Sequence, residues 1–378
     1  MFSNSVKLFE LKGFQIKVDP SWLLIAALIV WSLSTGYFPQ VIPGLSSAQY
    51  LTMAVAAMLG LFISLILHEL SHSLVARRFG LGIGGITLFL FGGVAELESE
   101  PENARSEFWI AVAGPAMSFA LAAGFWLLGN LAAVLGLPSA LVSLVGYLAL
   151  INLVLAVFNL LPAFPLDGGR VFRSILWAKS GDLTESTRKA SRLGGLFGYA
   201  LILLGLIALF SGGMIGGLWE VLIGLYLLAV SRATYQQVVT KSALKDKTVS
   251  VIMTPAPFTV APSQTLAEVV NQVMLRHGVS FVPVVGNGVL LGHIDIHILK
   301  ETDPDKWENT AVGDVFAHVE PDHLVAPETP AQEVLERIGS TGRRKYMVAD
   351  SSGLIGVVTL SDLTGYLSIS QQIGLPAD

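Results

Sequence analysis

The 378-residue chain contains no cysteine. Disulfides and thiolate metal sites are therefore excluded, and any bound metal must be held by His, Asp or Glu. Charge is scarce as well, at 13% of residues, and is missing altogether from 108–166. The formal net charge is −5 and no basic stripe is present, so no nucleic-acid partner is expected. Apolar side chains are abundant instead: they make up 53% of the chain and give a mean hydropathy of +0.65. Such a composition belongs in lipid rather than water. From about residue 241 onward the composition is that of an ordinary water-soluble domain, so a membrane part and an aqueous part are expected.

A helix that crosses a bilayer needs roughly 20 apolar residues. Six stretches qualify, near 21–38, 50–76, 108–130, 139–163, 193–211 and 215–233. Segment 6–18 alternates enough for a short strand or an interfacial segment, and no small-residue cleavage site follows the first apolar run, so no cleaved signal peptide is expected. Lys7, Lys12 and Lys17 precede the first span, Arg77, Arg78 and Arg105 follow the second, and further cations lie between the fourth and fifth spans and after the sixth. The opposite loops, near 38–49, 130–139 and 211–215, carry no Lys or Arg. The excess of cations on cytoplasmic loops then places both termini in the cytoplasm. The oily, glycine-rich stretch 80–107 is too broken for a span. It reads as a hairpin or re-entrant sheet covered by helices, with a free edge able to receive an extended peptide.

His68-Glu69-Leu70-Ser71-His72 puts two imidazoles at i and i+4 on one helix face, where both can bind one zinc, and sets Glu69 beside them to act on the attacking water. Glu69 is the one formally charged residue in 50–76. An ionisable group at bilayer depth costs several kcal/mol and marks a functional site by default; a polar patch satisfied by neighbouring helices is the plainer alternative. A catalytic zinc takes three protein ligands and leaves a position open. Asp167, the first charge after the uncharged stretch, is the candidate third ligand. Pro162 and Pro165 would break the preceding helix, and Gly168 and Gly169 would let the backbone turn and swing the carboxylate inward. Asn159 could donate a hydrogen bond to substrate or oxyanion, or simply join two helices.

These residues resemble the site-2 protease family of intramembrane metalloproteases. The likeness rests on HELSH at 68–72, Asn-x-x-Pro-x-x-Pro-x-Asp-Gly at 159–168, Phe91-Gly92-Gly93 in the oily hairpin and Ala113-Gly114-Pro115 in the third span, and it covers about 1–235. It implies one Zn2+ per chain held by His68, His72 and Asp167, with Glu69 as general base. It also implies regulated intramembrane proteolysis, the cleavage of a locally unwound helix of a membrane-protein substrate such as an anti-sigma factor. On the residues themselves, the hairpin around 87–94 would either hold an unwound substrate by strand addition, with Gly92 and Gly93 letting the chain approach closely, or serve as a structural plug between helices. Where the family commonly carries Asn after the Gly-Pro of the third span, this chain has Ser118, which can still hydrogen-bond a neighbouring helix.

Region 249–370 holds a weak internal repeat of about 60 residues per half. Each half reads as a short strand, an amphipathic helix (266–277 and 331–340) and two apolar strands (281–285 with 289–294, then 345–349 with 354–359). It resembles a tandem pair of CBS domains, which implies an adenine nucleotide (ATP, ADP or AMP) as regulatory ligand and a homodimer formed through the pair. Thr359 and Asp362 in the second half match the nucleotide pattern. In the first half Asp295 and Ile298 stand at those positions, so one nucleotide site is expected, not two.

The expected fold class is a polytopic α-helical membrane domain, with about six transmembrane helices and a small membrane-associated β-hairpin or sheet, followed by a cytoplasmic α/β tandem CBS domain. The expected divisions are 1–239 for the protease domain, 240–248 for a linker, and 249–303 and 309–370 for the CBS repeats. The location this implies is the plasma membrane of a prokaryote. The competing readings are a nucleotide-gated channel or transporter and a catalytically inactive homologue; no inverted symmetry supports the former.

Overall fold

The structure, a computed structural model, describes residues 5–90, 92–97, 100–212 and 214–373. The chain divides into two compact units, Met1–Gln236 and Gln237–Asp378.

In the first unit, six helices among the described residues are long and apolar enough to cross a membrane. They are α1 (Trp22–Val41), α2 (Ser47–Arg78), α3 (Ala104–Val134), α4 (Ser139–Asn159), α6 (Leu183–Phe210) and α7 (Met214–Leu244), with the shorter α5 (Asp167–Ser180) between α4 and α6. All six coincide with the apolar runs read from the sequence. Several extend beyond those runs because polar caps start them earlier. Ser46 and Gln49 form a capping box at α2, Asn103 accepts from the Ser106 amide at α3, and Asp182 accepts from the Glu185 amide at α6; each satisfies an otherwise orphaned N–H. The fourth span ends at Asn159 rather than 163 because Pro162 has no amide hydrogen to donate back to Phe158. Outward-facing apolar side chains such as Val134 and Phe210, 83% and 90% exposed, suit hydrocarbon and not water.

Segment 6–18 and the oily stretch 80–107 combine into one sheet rather than forming separate features. Strands β1 (Val6–Leu11), β2 (Phe14–Val18), β3 (Ile83–Phe89) and β4 (Gly92–Leu97) lie in the order β1-β2-β3-β4, with only β2 and β3 parallel. Phe14, Ile16, Ile86 and Leu88 are buried against Ile66 and Leu70 of α2. The sheet thus packs on the helix that carries the two histidines, and among the described residues β4 is an edge strand. Phe91, part of the sequence motif, lies outside the described residues.

In the second unit, a helical stretch over 266–277 precedes β5 (Phe281–Gly286) and β6 (Val289–Asp295), and helix Ala331–Thr341 precedes β7 (Lys345–Asp350) and β8 (Gly353–Thr359). Both strand pairs are antiparallel. Val260 and Val284 anchor the core of the first half, Val325 and Val348 that of the second. Between the halves, Lys345 Nζ donates to the carbonyl and hydroxyl of Ser280 at 2.9 and 3.0 Å.

Candidate metal centre

His68 and His72 are one turn apart on a buried face of α2, and Asp167 is the first residue of α5. Asp167 Oδ2 lies 3.1 Å from His68 Nε2 and 3.2 Å from His72 Nε2, and the two Nε2 atoms are 3.2 Å apart. With bonds of about 2.0–2.2 Å, tetrahedral zinc ligands stand about 3.3–3.6 Å from one another, so the three atoms already occupy one face of such a site. They form the one His/Asp/Glu group among the described residues with ligand atoms placed to share an ion. Asp167 also sits at a helix N-terminus, where the backbone dipole favours a carboxylate.

The far side of each imidazole is engaged by α3. His72 Nδ1 donates to the Ile110 carbonyl at 2.6 Å, and His68 Nδ1 lies 2.9 Å from Ser118 Oγ. A proton on Nδ1 leaves the Nε2 lone pair free for a metal. Gly114, between these two contacts on α3, faces both Nε2 atoms so closely that a Cβ there would overlap them. The site is a cradle that one added methyl group would fill, and both the donor set and this cradle fit zinc.

Glu69 lines the same cavity of about 580 Å³ as the two histidines, Asp167 and Asn159. Gly92 and Gly93 of β4 also border it, and a Cβ on Gly93 would come within 2.6 Å of Glu69 Cγ. The remaining walls come from α1, α4 and α7 and are mainly apolar. All seven residues singled out in the membrane part therefore meet in one place. Arg170 borders this cavity too, and it is the lone Lys or Arg among the residues that do.

The segment bearing Asp167 is fixed by close backbone packing. Gly168 and Gly169 lie inside the first turn of α5 and do not form a tight turn: a Cβ on either would overlap the backbone of 160–164. The Ser231 hydroxyl on α7 donates to the Phe164 carbonyl at 2.6 Å, and Gly194 of α6 packs against the same carbonyl. Arg173 of α5 is buried with Glu107 of α3, donating from Nε to Oε1 at 2.7 Å.

In the second unit, Asp362 Oδ2 accepts from the amide and hydroxyl of Thr359 at 2.8 and 2.7 Å, and its Oδ1 accepts from Thr254. In the first half Asp295 caps the equivalent helix, accepting from the amides of His297 and Ile298. His293, buried, stacks on Phe281 and meets His323 edge-on at 5.1 Å. Burial holds both imidazoles below the usual histidine range, assisted by His323, Lys345 and Arg343 at His293 and by Arg343 at His323, while Asp295 opposes the shift at His293.

Residues 56–141 and 130–205 match Peptidase family M50, and 248–301 and 312–369 match the CBS domain. The chain is 33% identical to Rip3 of Mycobacterium tuberculosis, which bears the name "Putative zinc metalloprotease", over 97% of this chain and 93% of that one. It is 29% identical to "Zinc metalloprotease MJ0392" of Methanocaldococcus jannaschii, over 97% and 96%. Among solved structures, "Site-2 Protease from Methanocaldococcus jannaschii" aligns with 28% identity and a TM-score of 0.43, covering 61% of this chain and 94% of that one. The protein is an integral membrane zinc metallopeptidase. It belongs to peptidase family M50, the site-2 protease family, and carries a tandem CBS pair.

Proposed function

We propose that His68, His72 and Asp167 hold the zinc, that Glu69 is the general base, and that the cavity beside them receives an unwound transmembrane segment of a membrane-protein substrate. The observation that carries this reading is the convergence of three ligand atoms within 3.2 Å of one another in the cavity that Glu69 lines. Zinc in that position supplies a Lewis acid for the scissile carbonyl and an acidified water, with a pKa of about 7. Glu69 takes the proton from the attacking water and returns it to the leaving amide nitrogen. Asn159, at the end of α4 on the cavity wall, donates a hydrogen bond to the developing oxyanion. The edge strand β4 pairs with the extended substrate, and Gly92 and Gly93 let its backbone approach Glu69 closely. The apolar walls suit a membrane-derived segment, of which an anti-sigma factor is one example.

The same reading extends to the second unit, where Thr359 and Asp362 contact the phosphate or ribose of an adenine nucleotide and the CBS pair mediates a homodimer. The distribution of Lys and Arg supports cytoplasmic termini, and the membrane in this reading is the plasma membrane of a prokaryote. The test uses the full chain in detergent, with zinc content and cleavage of a single-span model substrate as readouts. Wild type should hold about one zinc and cleave. Glu69→Gln should keep zinc and lose cleavage by about 10²–10⁴-fold, whereas His72→Ala should lose zinc. Equal cleavage by Glu69→Gln, or full zinc in His72→Ala, would overturn the assignment.

A further inference from the structure

A charged pair is buried where the membrane unit could have used apolar side chains. Glu107 on α3 is fully buried and Arg173 on α5 is 5% exposed. Arg173 Nη2 also contacts Glu107 Oε1, so two donors of one guanidinium meet the same carboxylate oxygen. The guanidinium lies over the Phe164 ring at 5.0 Å, and Nη1 donates to Thr187 Oγ1 on α6 at 3.5 Å. Arg173 therefore ties α5 to α3, to α6 and to the segment that delivers Asp167.

Burying such a pair costs several kcal/mol per ion before any return, and well-packed apolar residues often serve stability as well or better. Stability alone gives little reason for it, and its placement supplies another. Glu107, Ile110, Gly114 and Ser118 follow one another on α3 at spacings of three, four and four residues, which puts them on one face of that helix. The Ile110 carbonyl orients His72, Ser118 orients His68, and Gly114 lies against both ligand atoms. Glu107 closes the row by gripping the helix whose first residue is Asp167, six positions before Arg173 and about 9 Å along the axis.

We infer that Glu107 and Arg173 are positioning residues: their fork fixes α5 against α3 so that Asp167 Oδ2 stands at ligand distance from imidazoles held by the same face of α3. This rests on His68, His72 and Asp167 being the zinc ligands. Metal sites require donors within about 0.2 Å of their proper distance, and a flexible helix start would not hold one of three donors in place. Lys at 173 keeps the charge and loses the planar fork.

The test measures zinc affinity by chelator competition and the visible spectrum of the cobalt-substituted protein, on the full chain in detergent. The proteins compared are wild type, Glu107→Gln, Arg173→Lys, the double variant Glu107→Met/Arg173→Met, and Arg188→Gln, which removes a half-buried pair with Glu185. Glu107→Gln and Arg173→Lys should weaken zinc binding by about 10–100-fold, the usual loss when a ligand's supporting partner is removed, and should alter the cobalt spectrum. Arg188→Gln should change neither. The double variant, even with thermal stability recovered, should remain weak in zinc. Zinc affinity within twofold of wild type and an unchanged cobalt spectrum in folded Arg173→Lys or in the double variant overturn the inference, whatever Glu107→Gln does to folding. If wild type holds no zinc, or His72→Ala binds it equally, the ligand assignment fails instead.

Discussion

The hydroxyl of Ser118 lies 2.9 Å from Nδ1 of His68, on the side of the imidazole turned away from Asp167. A short serine thus reaches the histidine from α3 at a position where the family commonly has a longer amide side chain. The contact fixes the ring plane, and with it the direction of Nε2. Ser118→Ala should weaken zinc binding by about 10-fold or more without unfolding the protein, and Ser118→Asn should restore most of the affinity. Chelator competition measures both; equal zinc affinity in Ser118→Ala would leave the hydroxyl as a helix–helix contact only.

Gly114 and Gly93 make a pair of predictions that separate the metal from the base. A Cβ on Gly114 meets both histidine Nε2 atoms, whereas a Cβ on Gly93 meets Glu69 Cγ, Cδ and Oε1. Gly114→Ala should therefore lose zinc and activity together. Gly93→Ala should keep about one zinc per chain and lower kcat, because only the carboxylate is displaced. Zinc analysis of both purified variants checks the distinction, and loss of metal in Gly93→Ala would contradict it.

The sequence made the membrane helices legible because hydrocarbon imposes length and composition directly, and it made the histidine face legible because i and i+4 share a side of any helix. What it hid was tertiary pairing. Arg170 and Arg173 read as cations of the loop between the fourth and fifth spans and Glu107 as the end of the oily stretch before the third, yet Arg170 lines the cavity and the other two meet in the interior. Gly168 and Gly169 read as a turn, although their use is close backbone packing within a helix. The row Glu107, Ile110, Gly114 and Ser118 was present as a helical period, but one of its members acts through a carbonyl and another through having no side chain. Neither role has a signature in residue type. Segments 6–18 and 80–107 were each readable as extended, while their parallel joining through Ile16 and Ile86 is a long-range choice that local pattern does not specify.

The second unit should lose stability in mild acid. Burial depresses His293 and His323 below the ordinary histidine value of about 6.5, so below that pH the unfolded chain takes up protons that the folded one refuses, and stability falls as pH falls. Asp295 opposes the depression at His293, and Lys345 and Arg343 add to it; Glu320 and Asp322 oppose it at His323. The thermal midpoint of this unit, followed in the full chain, should be flat above about pH 7 and decline below about 6.5. His293→Phe keeps an aromatic ring against Phe281 and should flatten the decline. An unchanged slope in that variant would place the acid sensitivity elsewhere.

Asp295 and Asp362 both accept backbone amides at equivalent helix starts, but from different positions: Asp295 stands where the second half has Thr359, and Asp362 lies three residues further on. In the second half the capping partner is Thr359, whose hydroxyl also lies within the pattern associated with nucleotide phosphate or ribose; in the first half no hydroxyl stands there. Removing either carboxylate should cost about 1 kcal/mol of cap energy. Nucleotide binding should separate them, because a ligand that binds only the folded state raises its stability by about 2.7 kcal/mol at one hundred times its dissociation constant. AMP, ADP and ATP should therefore be titrated against the thermal midpoint of the full chain. The midpoint should rise in wild type and in Asp295→Ala, and the rise should be lost in Thr359→Val and Asp362→Ala. Thr359→Val is the decisive variant, since it removes the hydroxyl and leaves the Asp362 carboxylate still accepting from the backbone amide of residue 359. A rise that persists in Thr359→Val would move the nucleotide away from the second half, and no rise in wild type would leave the pair a structural module.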